Sequence, residues 1–110
     1  MTMSDRGGGV FAALADPTRR QLLATLAHNS PKTATQLAQT LPITRQGVLK
    51  HLEILASAGL VHTQPKGREK QFVFTPDPLQ EVSAWIDQIG ATWDERLHRL
   101  KTLVEDETNG

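Results

Sequence analysis

The segment Thr44-Arg45-Gln46-Gly47, with Lys50 and His51 just beyond it, gathers side chains that hydrogen-bond to planar or anionic partners. Arginine offers parallel N–H donors that match the two acceptors of guanine, and glutamine offers the donor–acceptor pair that matches adenine. Lysine and threonine suit phosphate oxygens, and His51 adds one more contact of the same kind. Gly47 carries no side chain, so the backbone there can approach a ligand closely, at about 1 kcal/mol of helix propensity relative to alanine. A second cluster, Lys66, Arg68 and Lys70, lies within Pro65-Lys66-Gly67-Arg68-Glu69-Lys70. A cationic turn of this kind grips phosphates or enters a minor groove. These are the residue types of a surface for double-stranded DNA.

The net charge of the 110-residue chain is zero, which at first argues against a nucleic-acid partner. The distribution argues the other way. From Asp16 to Thr75 there are eight basic residues against three acids, and the flanking segments hold four basic residues against nine acids. A basic middle between acidic ends implies a localised anionic partner. The chain contains no cysteine, which excludes disulfides, thiolate metal sites and thiol nucleophiles together, and fits a reducing cytoplasm. No segment is apolar enough to span a membrane or to serve as a secretory signal. Catalysis finds no support either. There is no glycine-rich phosphate loop, no nucleophile beside a base and no acid cluster at metal spacing.

The elements that must hold these clusters are legible from their punctuation. Met1–Gly9 is polar and glycine-rich and reads as a disordered tail, as does Glu105–Gly110, which leaves one domain over Val10–Val104. Val10–Ala15 reads as a short helix. Asp16-Pro17 is an N-cap followed by proline at the first helical position, and the helix it opens carries Leu22, Leu23, Leu26 and Ala27 on one face. Thr33 and Gln36 form a capping-box pattern at the head of a short helix that ends at Leu41-Pro42. Thr44 starts the next helix, with Ile43 and Val48 placed for a hydrophobic staple. Val48, Leu49, Leu52, Leu55 and Ala56 form its buried stripe. Gly59 is the expected left-handed residue after it. Leu60–Gln64 and Gln71–Thr75 read as two strands around a Pro65–Lys70 turn.

A last helix begins after Pro78, with Leu79, Val82, Ile86, Ile89, Trp93, Leu97, Leu100 and Val104 at steps of three and four. It would run about 40 Å and carries more apolar stripe than a small core can cover. Large aromatics anchor interfaces, so Val82, Trp85, Ile86, Ile89, Trp93, Leu97 and Leu100 read as a dimer seam; packed core around Trp85 and Trp93 is favoured over an apolar ligand cavity. The fold expected is mainly α with a small β-hairpin, in the order α-α-α-α-β-β-α. Two short helices joined by Leu41-Pro42-Ile43 make a helix-turn-helix, whose second helix enters the major groove.

Leu14-Ala15-Asp16-Pro17-Thr18-Arg19-Arg20, Gln36-Leu37-Ala38, Gly47-Val48-Leu49-Lys50-His51-Leu52-Glu53-Ile54-Leu55, Ala58-Gly59-Leu60-Val61 and Lys66-Gly67-Arg68 resemble the ArsR-type winged helix-turn-helix regulators. The resemblance spans roughly Val10–Val104. It implies a homodimer formed through the first and last helices, operator binding with repression, and often autoregulation. The hairpin would be the wing. Relatives that sense metal use cysteines before the recognition helix, where this chain has Thr35-Gln36-Leu37-Ala38. Others bind zinc between terminal helices. There this chain has Ile89 two residues after Asp87 and Lys101 three after His98, each where a ligand is needed. No metal and no cofactor are therefore expected, and any small-molecule inducer is unknown. His28, His62 and His98 read as surface or satisfied residues. Arg19 and Arg20 lie in a first turn, where the helix dipole disfavours cations. Contact with a DNA backbone and a salt bridge to the acidic last helix are both open. A winged helix used only for protein contacts, and a metal-responsive repressor with a non-standard site, remain alternatives.

Overall fold

The computed structural model describes the backbone of residues 5–109, with side chains from 9 to 105. The order is α1 (Asp5–Leu14), α2 (Pro17–His28), β1 (Lys32–Thr33), α3 (Ala34–Ala38), α4 (Arg45–Ser57), β2 (Val61–Lys66), β3 (Glu69–Phe74) and α5 (Asp77–Asn109). The expected mainly helical fold with a hairpin is present, with one added strand. β1 joins the hairpin to give an antiparallel sheet in the order β1-β3-β2, pairing Lys32 with Phe72 and Thr33 with Gln71.

Each helix start has a local cause. Asp16 accepts the backbone N–H groups of Thr18 at 2.8 Å and Arg19 at 3.2 Å, and Pro17 follows at the first helical position. The Arg19 N–H is the foremost influence holding the Asp16 carboxyl below its ordinary value. Burial partly opposes it, while the Thr18 N–H and the charges of Arg19 and His51 reinforce it. A carboxyl lowered on folding stabilises the fold fully above its unfolded value near 3.9, and that stability is lost as pH falls through the folded value. Asp16→Asn keeps a capping oxygen without the charge. Its deficit in urea midpoint against the parent is therefore expected to shrink between neutral pH and about pH 3; a constant deficit refutes the charge effect.

The capping box forms as expected. Gln36 N–H donates to Thr33 Oγ1 at 3.2 Å and Thr33 N–H to Gln36 Oε1 at 2.9 Å. Gly59 takes the left-handed conformation, with φ of 76°, and lets the chain turn from α4 into β2. The stripes of these elements meet in one core of Val10, Leu22, Leu26, Leu37, Val48, Leu52, Leu55, Leu60, Phe72 and Val82, with Ile43 packed against it.

Several boundaries differ from the sequence reading. α1 starts at Asp5, so residues 5–9 are helical and not a tail; packing of α1 on α5 outweighs the weak propensity of the three glycines. Residues 1–4 lie outside the described part. α5 continues to Asn109 through the segment read as a second tail, helped by (i, i+4) ion pairs such as Lys101–Glu105. At 1.5 Å per residue it is about 50 Å long, within a molecule measuring 75 × 27 × 20 Å. The hairpin turn is also tighter than expected. Pro65 pairs with Lys70 and Lys66 with Glu69, leaving only Gly67-Arg68 as the loop. Gly67, with φ of 60°, fits the first position of a two-residue turn matched to strand twist. Pro65 lacks an N–H, and it is tolerated because β2 is an edge strand.

Candidate nucleic-acid interface

α3, the Leu41–Ile43 connection and α4 form the helix-turn-helix, with β2 and β3 beside it as the wing. α4 buries Val48, Leu52 and Leu55, and that packing leaves Arg45, Gln46, Lys50 and Glu53 on its exposed side. Thr44 is the N-cap, its Oγ1 accepting from Gly47 N–H at 3.0 Å, and its own hydroxyl proton is still available to a phosphate. Gly47 has a local structural reason. A Cβ there would stand 3.3 Å from Thr44 Oγ1, crowding the cap.

Lys66, Arg68 and Lys70 are all exposed at the wing tip. Arg45, Arg68 and Lys70 line one cleft of about 330 Å³ between α4 and the wing, over Ala34, Leu49 and Phe72. The fold therefore brings one residue of the first cluster, Arg45, and two of the second, Arg68 and Lys70, to a single groove. Glu53 and Glu69 also line it, so the surface is not purely basic.

His51 does not belong to this face. It is half-buried, and its Nδ1 lies 3.5 Å from Nη1 of Arg19. One step along a helix is a 100° rotation, which turns it away from the outward Lys50. Arg19 and Arg20 reach back to the end of α1. Arg19 Nε donates to the Ala13 carbonyl at 2.6 Å and Nη2 to that of Ala12 at 3.2 Å. Arg20 Nη1 donates to the Leu14 carbonyl at 2.7 Å. Both cap the carbonyl end of α1, where the dipole favours cations.

Sequence reasoning missed two participants. Thr35, on α3, donates through Oγ1 to Glu69 Oε1 at 2.8 Å and accepts from Arg45 Nε at 3.2 Å. Arg45 Nη2 is 3.9 Å from the same Glu69 oxygen. The only signal available was one acid inside a basic turn; that it reaches two helices depends on the tertiary approach of the wing.

Along α5, Val82 is 7% exposed and part of the chain's own core, which removes it from the seam expected there. Trp85 is half-buried and meets Phe11 of α1 edge to face at 5.8 Å. Ile86, Ile89, Trp93, Leu97, Leu100, Leu103 and Val104 are exposed, and beyond Gly90 every described side chain of α5 is exposed. Among the described residues no group of three His, Asp or Glu side chains converges on a point, and no helix is long and apolar enough to cross a membrane.

Residues 14–64 match the family described as Helix-turn-helix domain. The chain is 35% identical over 92 residues to the HTH-type transcriptional regulator YuzN of Bacillus subtilis, covering 77% of this chain and all of that protein. It is 31% identical over 77 residues to the transcriptional repressor SdpR of the same organism, covering 70% of this chain and 84% of SdpR. Its structure superposes on an ArsR-like transcriptional regulator from Rhodococcus sp. RHA1 with a TM-score of 0.78 at 36% identity, covering 90% of this chain and 92% of that one. With α3 and α4 forming the helix-turn-helix and the β2–β3 hairpin beside it, the chain belongs to the ArsR-type family of winged helix-turn-helix, DNA-binding transcriptional regulators.

Proposed function

We propose that the chain is a metal-independent repressor that acts in the bacterial cytoplasm and binds a pseudo-palindromic operator as a homodimer. The observation that carries this reading is the groove between α4 and the wing, lined by Arg45 on one side and by Arg68 and Lys70 on the other. In a major groove, Arg45 and Gln46 would face base edges while Thr44 and Lys50 hold phosphate. Gly47 would let the helix end come close. Lys66, Arg68 and Lys70 would follow the adjacent backbone. Repression is supported by the likeness to SdpR, named a transcriptional repressor, and follows physically if the bound dimer excludes polymerase. Dimerisation is supported by the exposed apolar stripe of α5 and by Phe11 beside it. A symmetric dimer sets two recognition helices about 34 Å apart, one turn of DNA.

The test is fluorescence anisotropy with a duplex from the chain's own promoter and a scrambled duplex, at two salt concentrations, with and without zinc. Tight preference for the promoter, unchanged by zinc, supports the reading. Equal affinity for both duplexes at both salts rejects the own-promoter operator. Arg68→Ala is expected to weaken binding to both duplexes and to flatten the log–log salt slope by about 1, the counterions released at one phosphate. An unchanged slope removes Arg68 from the interface.

A further inference from the structure

Arg45 is tied down before any DNA arrives. Its Nε donates to Thr35 Oγ1, and that hydroxyl in turn donates to Glu69 Oε1, which lies 3.9 Å from Arg45 Nη2. Three elements, α3, α4 and the wing, thus converge on one guanidinium. α4 has no acid in its first turn, and Glu69 supplies from the wing the negative charge that Arg45, placed at the positive end of the helix dipole, otherwise lacks.

We propose that Thr35 and Glu69 are positioning residues that fix the plane of the Arg45 guanidinium for base recognition, so that sequence discrimination depends on the wing being docked against the helix-turn-helix. The inference rests on Arg45 reading a base. Its chemistry follows from the donor inventory of arginine, which has five N–H groups in a rigid fork. With Nε–H given to Thr35, the four N–H groups at the end of the fork stay available, and two of them match the O6 and N7 acceptors of guanine. A free arginine must surrender its rotamers on binding, whereas one already held does not. Arg45 and Glu69 remain half exposed, so their direct attraction is weak; geometry is the larger effect. Glu69 has a second consequence. Its charge repels phosphate, which lowers affinity for DNA of any sequence and leaves discrimination to the base contacts.

The two effects separate experimentally. The probes are a random-sequence duplex pool and the duplex that the parent chain enriches from it. Thr35→Val leaves the net charge unchanged and removes the hydroxyl. It is expected to weaken binding to the enriched duplex about fivefold, the equivalent of ordering one long side chain, with pool affinity unchanged within about twofold. Thr35→Ser retains the hydroxyl and is expected to restore discrimination. Glu69→Gln is expected to tighten binding to the pool by about threefold at low salt, where screening is least, and to tighten the enriched duplex less, because Arg45 is then held less firmly, so that the ratio between the two probes falls. In an Arg45→Ala background neither substitution at Thr35 should alter that ratio, because the coupling runs through Arg45. If Thr35→Val leaves the ratio intact while Arg45→Ala collapses it, the positioning role is overturned and Arg45 stands as a reader. If Arg45→Ala leaves the ratio intact, Arg45 is not a reader and the inference falls with that reading. A Thr35→Val effect that persists without Arg45 also overturns it.

Discussion

Trp93→Glu is expected to abolish the proposed homodimer and to leave a monomer in sedimentation at micromolar concentration, where the parent chain is expected to be a dimer. The reasoning begins with the mismatch between α5 and the core. Its first turns pack on α1 and bury Val82. Past Gly90 it runs without intrachain cover, yet Trp93, Leu97, Leu100 and Val104 continue the stripe. An isolated helix of that length is marginal in water, and a contiguous apolar patch marks an interaction site. A second copy, as proposed above, would supply both the cover and the stabilisation. Trp93 is the largest side chain on the stripe and 57% exposed in the single chain. Truncating an interface anchor of this kind costs about 2 kcal/mol or more, and glutamate adds the burden of burying a charge. In a symmetric dimer the change is made twice, so the dimer dissociation constant should rise by roughly a thousandfold. DNA affinity should fall with it, since two half-sites are no longer held at one effective concentration. The circular dichroism of the first 90 residues' elements should be retained, because Trp93 lies outside the core. A dimer that survives the substitution rules out this face as the seam.

What the sequence disclosed about this site was its local grammar. Asp16-Pro17, the Thr33/Gln36 box, Thr44 and Gly59 are decided within a few residues of themselves, and each is where the pattern placed it. The buried stripe of α4 was equally legible, since burial of Val48, Leu52 and Leu55 follows from helical spacing alone. What escaped were features fixed by partners distant in the chain. β1 is two residues long, too short for any alternation, and exists because β3 offers it an edge. Val82 sits on the α5 stripe like Ile86, and only the tertiary packing of the start of α5 decides that one is core and the other exposed. His51 and Lys50 are neighbours of similar type, yet one lies against Arg19 and the other faces outward. Glu69 was an acid in a basic turn until the wing met α3. The residue types of the proposed recognition face were legible; the contact that holds Arg45 was not, because it joins positions 35, 45 and 69 through space.

Arg19→Ala is expected to destabilise the fold by about 2–3 kcal/mol without changing the DNA salt slope. The first-turn arginine of α2 conflicts with that helix's own dipole, which is what makes a DNA contact plausible from sequence. The structure resolves the conflict differently. The guanidinium reaches back across the α1–α2 junction to the carbonyls of Ala12 and Ala13, and it also approaches the Asp16 carboxylate and the His51 ring. Its side chain is only 15% exposed. Hydrogen bonds from a charged donor contribute about 1.5–3 kcal/mol each when partly shielded from water. Removing the donor leaves two carbonyls at the end of α1 to find water, and leaves Asp16 with one fewer cation. Some of the loss is recovered by hydration at this margin, which brings the total to the low end of the sum of the two bonds or somewhat below it. Because α1 packs on α5 and His51 belongs to α4, the same guanidinium links α1 and α5 to α4. Urea unfolding measures the first effect and anisotropy against salt measures the second. A stable variant with a slope lowered by about 1 would return Arg19 to the DNA interface; a destabilised variant with the parent slope identifies it as the cap that joins α1 to α4.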